Sequence, residues 1–410
     1  MRMSKKKEIV PKFRFPEFQR DGIDFVHGNK LFKSITNKNH NSDLPILAIT
    51  QDQGAVPRDQ IEYNVTVTDK SLSNYKVVEV GDFIISLRSF QGGIEYSRFK
   101  GICSPAYIIL RKREENISEL YYKYFFKTWR YIQSLNRNLE GIRDGKMISY
   151  SQFSSVKVPY PRSFKEQQKI ADCLSSIDEL IDAESRKLKA LEKYKKGLMQ
   201  KLFPAEGKTL PEWRFPEFQG CGEWKSKSIG KACKMFSGGT PDTSKKEFYG
   251  GTIPFIRSAE INKSSTELFI TEEGFKNSSA KMVKKGDILI ALYGANSGEV
   301  ALSKIDGAIN QAILCLRHET NNVFVYHYFT HMKNWIISKY IQGGQGNLSG
   351  QIIKSVNLYF PKAEEQQKIA DFLSEIDTMI TGQSNKVEQL KAYKKGLMQG
   401  LFPSFEEADV

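Results

Sequence analysis

Arg88, Ser89, Gln91 and Arg98 fall in one glycine-bearing stretch, Arg88-Ser-Phe-Gln-Gly-Gly-Ile-Glu-Tyr-Ser-Arg98, with Lys100 just beyond it. Arg143 and Lys146 fall in a second, Gly141-Ile-Arg-Asp-Gly-Lys146. About 200 residues further on, Tyr293-Gly-Ala-Asn-Ser297 carries Tyr293 and Asn296, and Gly343-Gly-Gln-Gly-Asn347 carries Gln345 and Asn347. Lys245, Lys246, Arg257, Asn310 and Gln311 join this set. Arginine can pair bidentately with guanine, and asparagine or glutamine with adenine, while lysine meets phosphate. The chemistry within reach of such loops is the reading of base-pair edges. Any one of these side chains taken alone is more often an ordinary solvated loop residue, so the weight rests on the pattern.

Charge points the same way. The 410 residues carry a formal net charge of +14 and a pI near 9.3, which favours a polyanionic partner, nucleic acid before an anionic membrane. Catalytic signatures are missing. There is no G-x-x-x-x-G-K-[ST] phosphate loop and no N-P-P-[YF] motif of an amino-methyltransferase. Ser237-Gly-Gly-Thr-Pro241 lacks a strand-turn-helix context, and Glu223-Trp-Lys225 is only a scrap of a nuclease triad. His327 and His331 stand four apart without a third ligand, so they read as core or surface histidines. Catalytic and metal residues are therefore expected to be none. Five cysteines form no CxxC pair, and no apolar run reaches membrane-spanning length, so a reducing, cytoplasmic setting is expected.

The loops need a frame, and the sequence repeats one. Pro11-Lys-Phe-Arg-Phe-Pro-Glu-Phe-Gln19 returns as Pro211-Glu-Trp-Arg-Phe-Pro-Glu-Phe-Gln219. Glu166-Gln-Gln-Lys-Ile-Ala-Asp172 returns at 365–371, and Tyr194-Lys-Lys-Gly-Leu-Met-Gln200 at 393–399. Aligned without gaps, 166–204 and 365–403 share 25 of 39 residues. The strand-like Gly81-Asp-Phe-Ile-Ile and Gly286-Asp-Ile-Leu-Ile echo one another, as do Ile148-Ser and Leu348-Ser. The loops between these anchors differ almost completely. The frame is duplicated and the surface is not.

Within the repeated segment, Ile170, Leu174, Ile177, Ile181, Leu188 and Leu191 alternate four and three apart, as do Ile369, Leu373, Ile376, Ile380, Val387 and Leu390. Polar Glu184 and Lys195, and Gln383 and Lys394, interrupt the same stripes. Such a narrow seam predicts two long coiled-coil helices that pair with each other, or else with another protein. Antiparallel pairing would set the two domains at opposite ends of a strut. The rest reads as mixed α/β, with short β-type runs and aromatic helical stretches at 120–129 and 323–331 whose rings are expected in the core.

On the doubled E-Q-Q-K-I-A-D and Y-K-K-G-L-M-Q helices, the paired Gly-Asp strands and the Ser237-Gly-Gly-Thr-Pro241 opening, the whole chain resembles the specificity subunit of a type I restriction-modification system. The resemblance implies two α/β (α+β) target recognition domains, 1–160 and 205–360, separated by two long antiparallel spacer helices, 161–204 and 361–403, in a pseudo-twofold tandem repeat with an acidic tail at 404–410. It implies a non-catalytic, cytoplasmic protein that binds a bipartite, asymmetric double-stranded DNA target. Two methyltransferase subunits would dock on it, with two restriction subunits as further partners. The chain itself would need no cofactor; S-adenosylmethionine, ATP and Mg would belong to the partner subunits. The rival readings are a coiled-coil protein-binding adaptor and a DNA-modifying enzyme with a divergent active site. The first half lacks a clear Ser-Gly-Gly-Thr-Pro, which weakens loop assignment between His27 and Asn41.

Overall fold

A glycine-aspartate pair opens a strand in each half of the chain, and its role is structural. Gly81 and Gly286 take φ of 94° and 89°, values that glycine adopts without strain. The following aspartate then closes the turn. Asp82 accepts the Glu79 amide at 2.8 Å and Asp287 accepts the Lys284 amide at 2.7 Å. Each carboxylate also takes a guanidinium from the neighbouring strand, Arg111 on Asp82 and Arg317 on Asp287. The motif that repeats in the sequence is therefore a turn riveted to a sheet.

The computed structural model describes residues 11–41, 43–61, 72–137, 148–340 and 348–403. It divides into two compact units. The first runs through Glu184 and takes in Lys386 onward; the second is Ser185–Asn385. Each unit is built on a four-stranded antiparallel sheet of the same order. In the first unit this is Phe32–Ile35, Ile108–Lys112, Phe83–Ile85, Glu95–Tyr96. In the second it is Cys233–Ser237, Ile313–His318, Ile288–Ala291, Val300–Leu302. A two-stranded ribbon leads into each long helix, Ile23–His27 with Lys157–Pro161 and Lys225–Ser228 with Asn357–Phe360. Ser149 and Ser349 cap the short helix before that ribbon, which accounts for the echoed Ile-Ser and Leu-Ser.

The long helices are Phe164–Leu202 and Ala363–Leu401. Each unit contains the first half of one and the second half of the other. In the first unit Lys394 pairs with Asp178 and Lys386 with Glu184. One number rises as the other falls, so the segments run antiparallel. In the second unit Lys195 meets Asp377 at 2.5 Å. The polar interruptions of the stripe, Glu184, Lys195 and Lys394, are thus salt-bridged across the pair.

The seam does more than the sequence reading gave it. Ile170 and Leu174 are buried in the first unit's core together with Tyr121, Phe125, Leu401 and Phe402. Ile369, Leu373 and Ile376 lie in the second unit's core with Met199, Leu202, Phe203 and Tyr328. Ile177, Ile181, Leu188, Leu191, Ile380 and Leu390 are half-buried, and Val387 is buried. The helix ends therefore belong to the domain cores, and burial of their apolar faces welds strut to domain.

The remaining repeated residues make that weld. Arg14 holds Glu166 through two bonds of 2.7 and 2.8 Å, and Arg214 holds Glu365 through two of 2.7 Å. Both carboxylates are almost fully buried. Gln167 donates to the Pro161 carbonyl and Gln366 to that of Pro361, both at 2.9 Å. The Phe13 amide donates to Gly400, and the Trp213 amide to Lys201. Among the aromatics, Tyr121, Tyr122, Tyr124, Phe125, Phe126, Phe324 and Tyr328 are core as expected, but Trp129 is 69% exposed. It opens a separate helix, Trp129–Arg137, after a break at 126–128 that turns it outward.

Candidate nucleic-acid interface

In the first unit the loop after Phe83–Ile85 is braced from several sides. Ser89 is buried and its hydroxyl accepts the Ser86 amide at 2.9 Å, so it shapes the turn from inside instead of facing a ligand. Gln51 donates to the Arg88 carbonyl and Asn136 to that of Phe90. The Lys127 ammonium donates to the Gln51 and Gly92 carbonyls and to Glu95, the last at 2.5 Å. Gly93, at φ 81°, approaches the Phe126 carbonyl so closely that a Cβ would sit 2.2 Å from it. The side chains of Arg88 and Gln91 stay exposed on this rigid turn, as does Arg98. Lys100 is exposed and pairs with Glu79 at 3.1 Å.

Burial of Glu95 pushes its carboxyl up to about 7, against the opposing pull of Lys127. The folded state then keeps a proton that the unfolded chain releases near 4.5. The first unit should lose stability as pH rises from about 4.5 through 7. Glu95→Gln should remove that loss, so that melting curves of variant and wild type converge at pH 5 and separate by pH 8. An unchanged pH profile would contradict this.

In the second unit the corresponding turn, Gly294–Asn296, presents Tyr293 exposed and Asn296 half-buried. The Gln311 side chain accepts the Thr240 hydroxyl at 2.8 Å, which brings the 238–241 loop beside 310–311. Asn310 uses its side-chain oxygen to accept the Ala312 amide. Lys245 and Lys246 are exposed, with the Lys245 ammonium 5.0 Å from the Phe248 ring. Arg257 is committed to Glu260 and Glu267 and acts as a local brace. Arg143, Lys146, Gln345 and Asn347 lie outside the described residues. Gln51 and the Asn37–Asn41 loop carry no sequence signal beyond a density of amide side chains.

His327 is fully buried, and neither ring nitrogen has a hydrogen-bond partner among the described residues. Burial, with Lys195 nearby, lowers its pKa to about 3, so the ring is neutral. Its place in the repeat is that of Tyr124, since Phe125 meets Phe402 as Tyr328 meets Phe203. Tyr124 donates to Asp178 at 2.8 Å, whereas His327 stands 3.9 Å from Asp377. His327→Tyr should supply the missing bond, adding about 1 kcal/mol to the second unit's unfolding free energy and raising its midpoint. A lowered midpoint would show that the site lacks the room. Among the described residues there is no cluster of metal-ligating side chains and no helix long and apolar enough to cross a membrane.

Two like α/β units carrying unlike loops define a duplicated binding scaffold. A family model described as the type I restriction modification DNA specificity domain matches residues 21–193 and again 222–392. The chain is 26% identical over 302 residues to the type I restriction enzyme MjaX specificity subunit of Methanocaldococcus jannaschii, covering 71% of this chain and 69% of that one. To the MjaVIII specificity subunit of the same organism it is 23% identical over 352 residues, covering 82% and 80%. The crystal structure of a type I S subunit from M. genitalium matches with a TM-score of 0.60 at 16% identity, covering 97% and 100%, a likeness of fold. The chain belongs to the type I restriction-modification specificity family, as a non-catalytic subunit concerned with DNA sequence recognition.

Proposed function

We propose that this chain reads a split, asymmetric DNA target, one half with each unit, and presents it to two methyltransferase subunits docked on its repeated frame. The observation that carries this reading is the contrast between frame and loop. The Arg14–Glu166 and Arg214–Glu365 pairs, the Gly-Asp turns and the crossed lysine-aspartate pairs repeat closely. The exposed loops at the same topological positions do not. Unlike loops on like frames favour unlike half-sites, and a duplicated frame favours two copies of one partner. In the cytoplasm the partner subunits would supply S-adenosylmethionine chemistry, and two restriction subunits would bring ATP and Mg.

The purified chain should neither methylate nor cut DNA. Coexpressed with its methyltransferase subunit, it should direct adenine methylation to one split sequence. Its own DNA affinity should fall steeply as salt rises. Methylation by the chain alone, or DNA affinity indifferent to salt, would contradict the reading.

A further inference from the structure

The first strand of each main sheet, Phe32–Ile35 and Cys233–Ser237, runs straight into a loop that is fixed at both ends. In the first unit this loop reads Thr36-Asn-Lys-Asn-His-Asn41. The Val77 amide donates to the Asn37 carbonyl at 2.8 Å, and the Asn39 amide to the Asn37 side-chain oxygen at 2.9 Å. A His40 ring nitrogen lies 3.1 Å from the Tyr75 carbonyl. Thr36 to Asn39 and Asn41 are nevertheless exposed, so the side-chain amides of Asn39 and Asn41 reach solvent. Asn37, Asn39, His40 and Asn41 line an open cavity of about 300 Å³, with Glu79 and Lys100 also on its wall. Asp43 is the remaining charged group there.

The second unit builds the same position from different chemistry. Its loop begins Gly238-Gly-Thr-Pro241, with the Gly238 amide donating to Asn310 and the Tyr249 hydroxyl to Pro241. A Cβ at Gly238 would sit 1.7 Å from the Ile309 carbonyl, so the chain there must lack a side chain. The position held by amide side chains in one unit is thus held by a threonine-glutamine pair in the other.

We propose that Asn39 and Asn41 are base-reading residues of the first unit, placed to meet adenine edges in the major groove. The inference rests on the DNA-reading function argued above. A held backbone with exposed side-chain amides is what bidentate recognition needs, because the donor and acceptor must be presented together at little entropic cost. Glu79 is neutralised by Lys100, and Asp43 can accept from cytosine. Lys38, exposed in the same loop, is the cation available for phosphate.

The test uses the full chain coexpressed with its methyltransferase subunit, with methylated adenines mapped across the genome. Asn39→Ala and Asn41→Ala should each relax base preference at one half-site about 10- to 100-fold, leaving the other half-site untouched. Lys38→Ala should weaken all sites alike. The substituted side chains are exposed, and unchanged melting will confirm folding. An unaltered motif, or an asparagine variant that weakens every sequence equally, overturns the proposal. If the wild-type chain directs no sequence-specific methylation, the parent reading fails, and this one with it.

Discussion

Glu166→Ala should destabilise the first unit by roughly 3–5 kcal/mol, and Glu365→Ala should do the same to the second. The side chains of Glu166 and Glu365 are each 1% exposed, and those of their partners Arg14 and Arg214 are 6% and 10%. Removing the carboxylate takes the counter-charge from a guanidinium that has little water within reach. Glu365 also accepts the Trp224 indole, so that donor is orphaned too. The expected result is separable by unit. Trp213, Trp224 and Trp335 lie in the second unit and Trp129 in the first, so fluorescence follows mainly the second. Glu365→Ala should shift the fluorescence-detected denaturant midpoint, and Glu166→Ala should shift the circular-dichroism transition far more than the fluorescence. Equal movement of both probes in both variants would show that the ion pairs do not act locally.

The second large effect concerns helix length. Residues 182–193 straddle the boundary between the units, as do the facing positions around 385–386. A heptad inserted into the first helix alone breaks the register of its acid-lysine pairs with a second helix of unchanged length. Modification activity should disappear. Matched heptads in both helices keep the seam in phase and add about 10 Å at 1.5 Å per residue. Activity should return on sites whose halves lie farther apart, by roughly three base pairs at about 3.4 Å each. Methylome mapping of both variants distinguishes these outcomes. Unchanged spacing after matched insertion would remove the helices from the measuring role.

Much of the frame was legible because its signals are local and doubled. A heptad seam and a 25-of-39 identity between copies need no tertiary knowledge. What Arg14 and Glu166 do for each other was not legible, since they stand 152 residues apart and meet only in the folded chain. The Gly-Asp motif gave a strand start, but the rivet to Arg111 depends on sheet order. Loop residues were the least readable. Ser89 and Arg257 have the right types for DNA contact, yet one is buried in its own turn and the other is held by two glutamates. Trp129 shows the converse, an aromatic in a core-like run that a helix break turns to solvent. Side-chain type proposes a contact, but only exposure and prior commitments decide whether the group is free to make one.

The decisive measurement exchanges residues 12–150 for the matching segment of a relative with a different target, then maps methylated adenines in cells that also make the methyltransferase subunit. One half of the split motif should change and the other should persist base for base. If both halves change together, the two units do not read DNA independently, and the duplicated frame serves some other end.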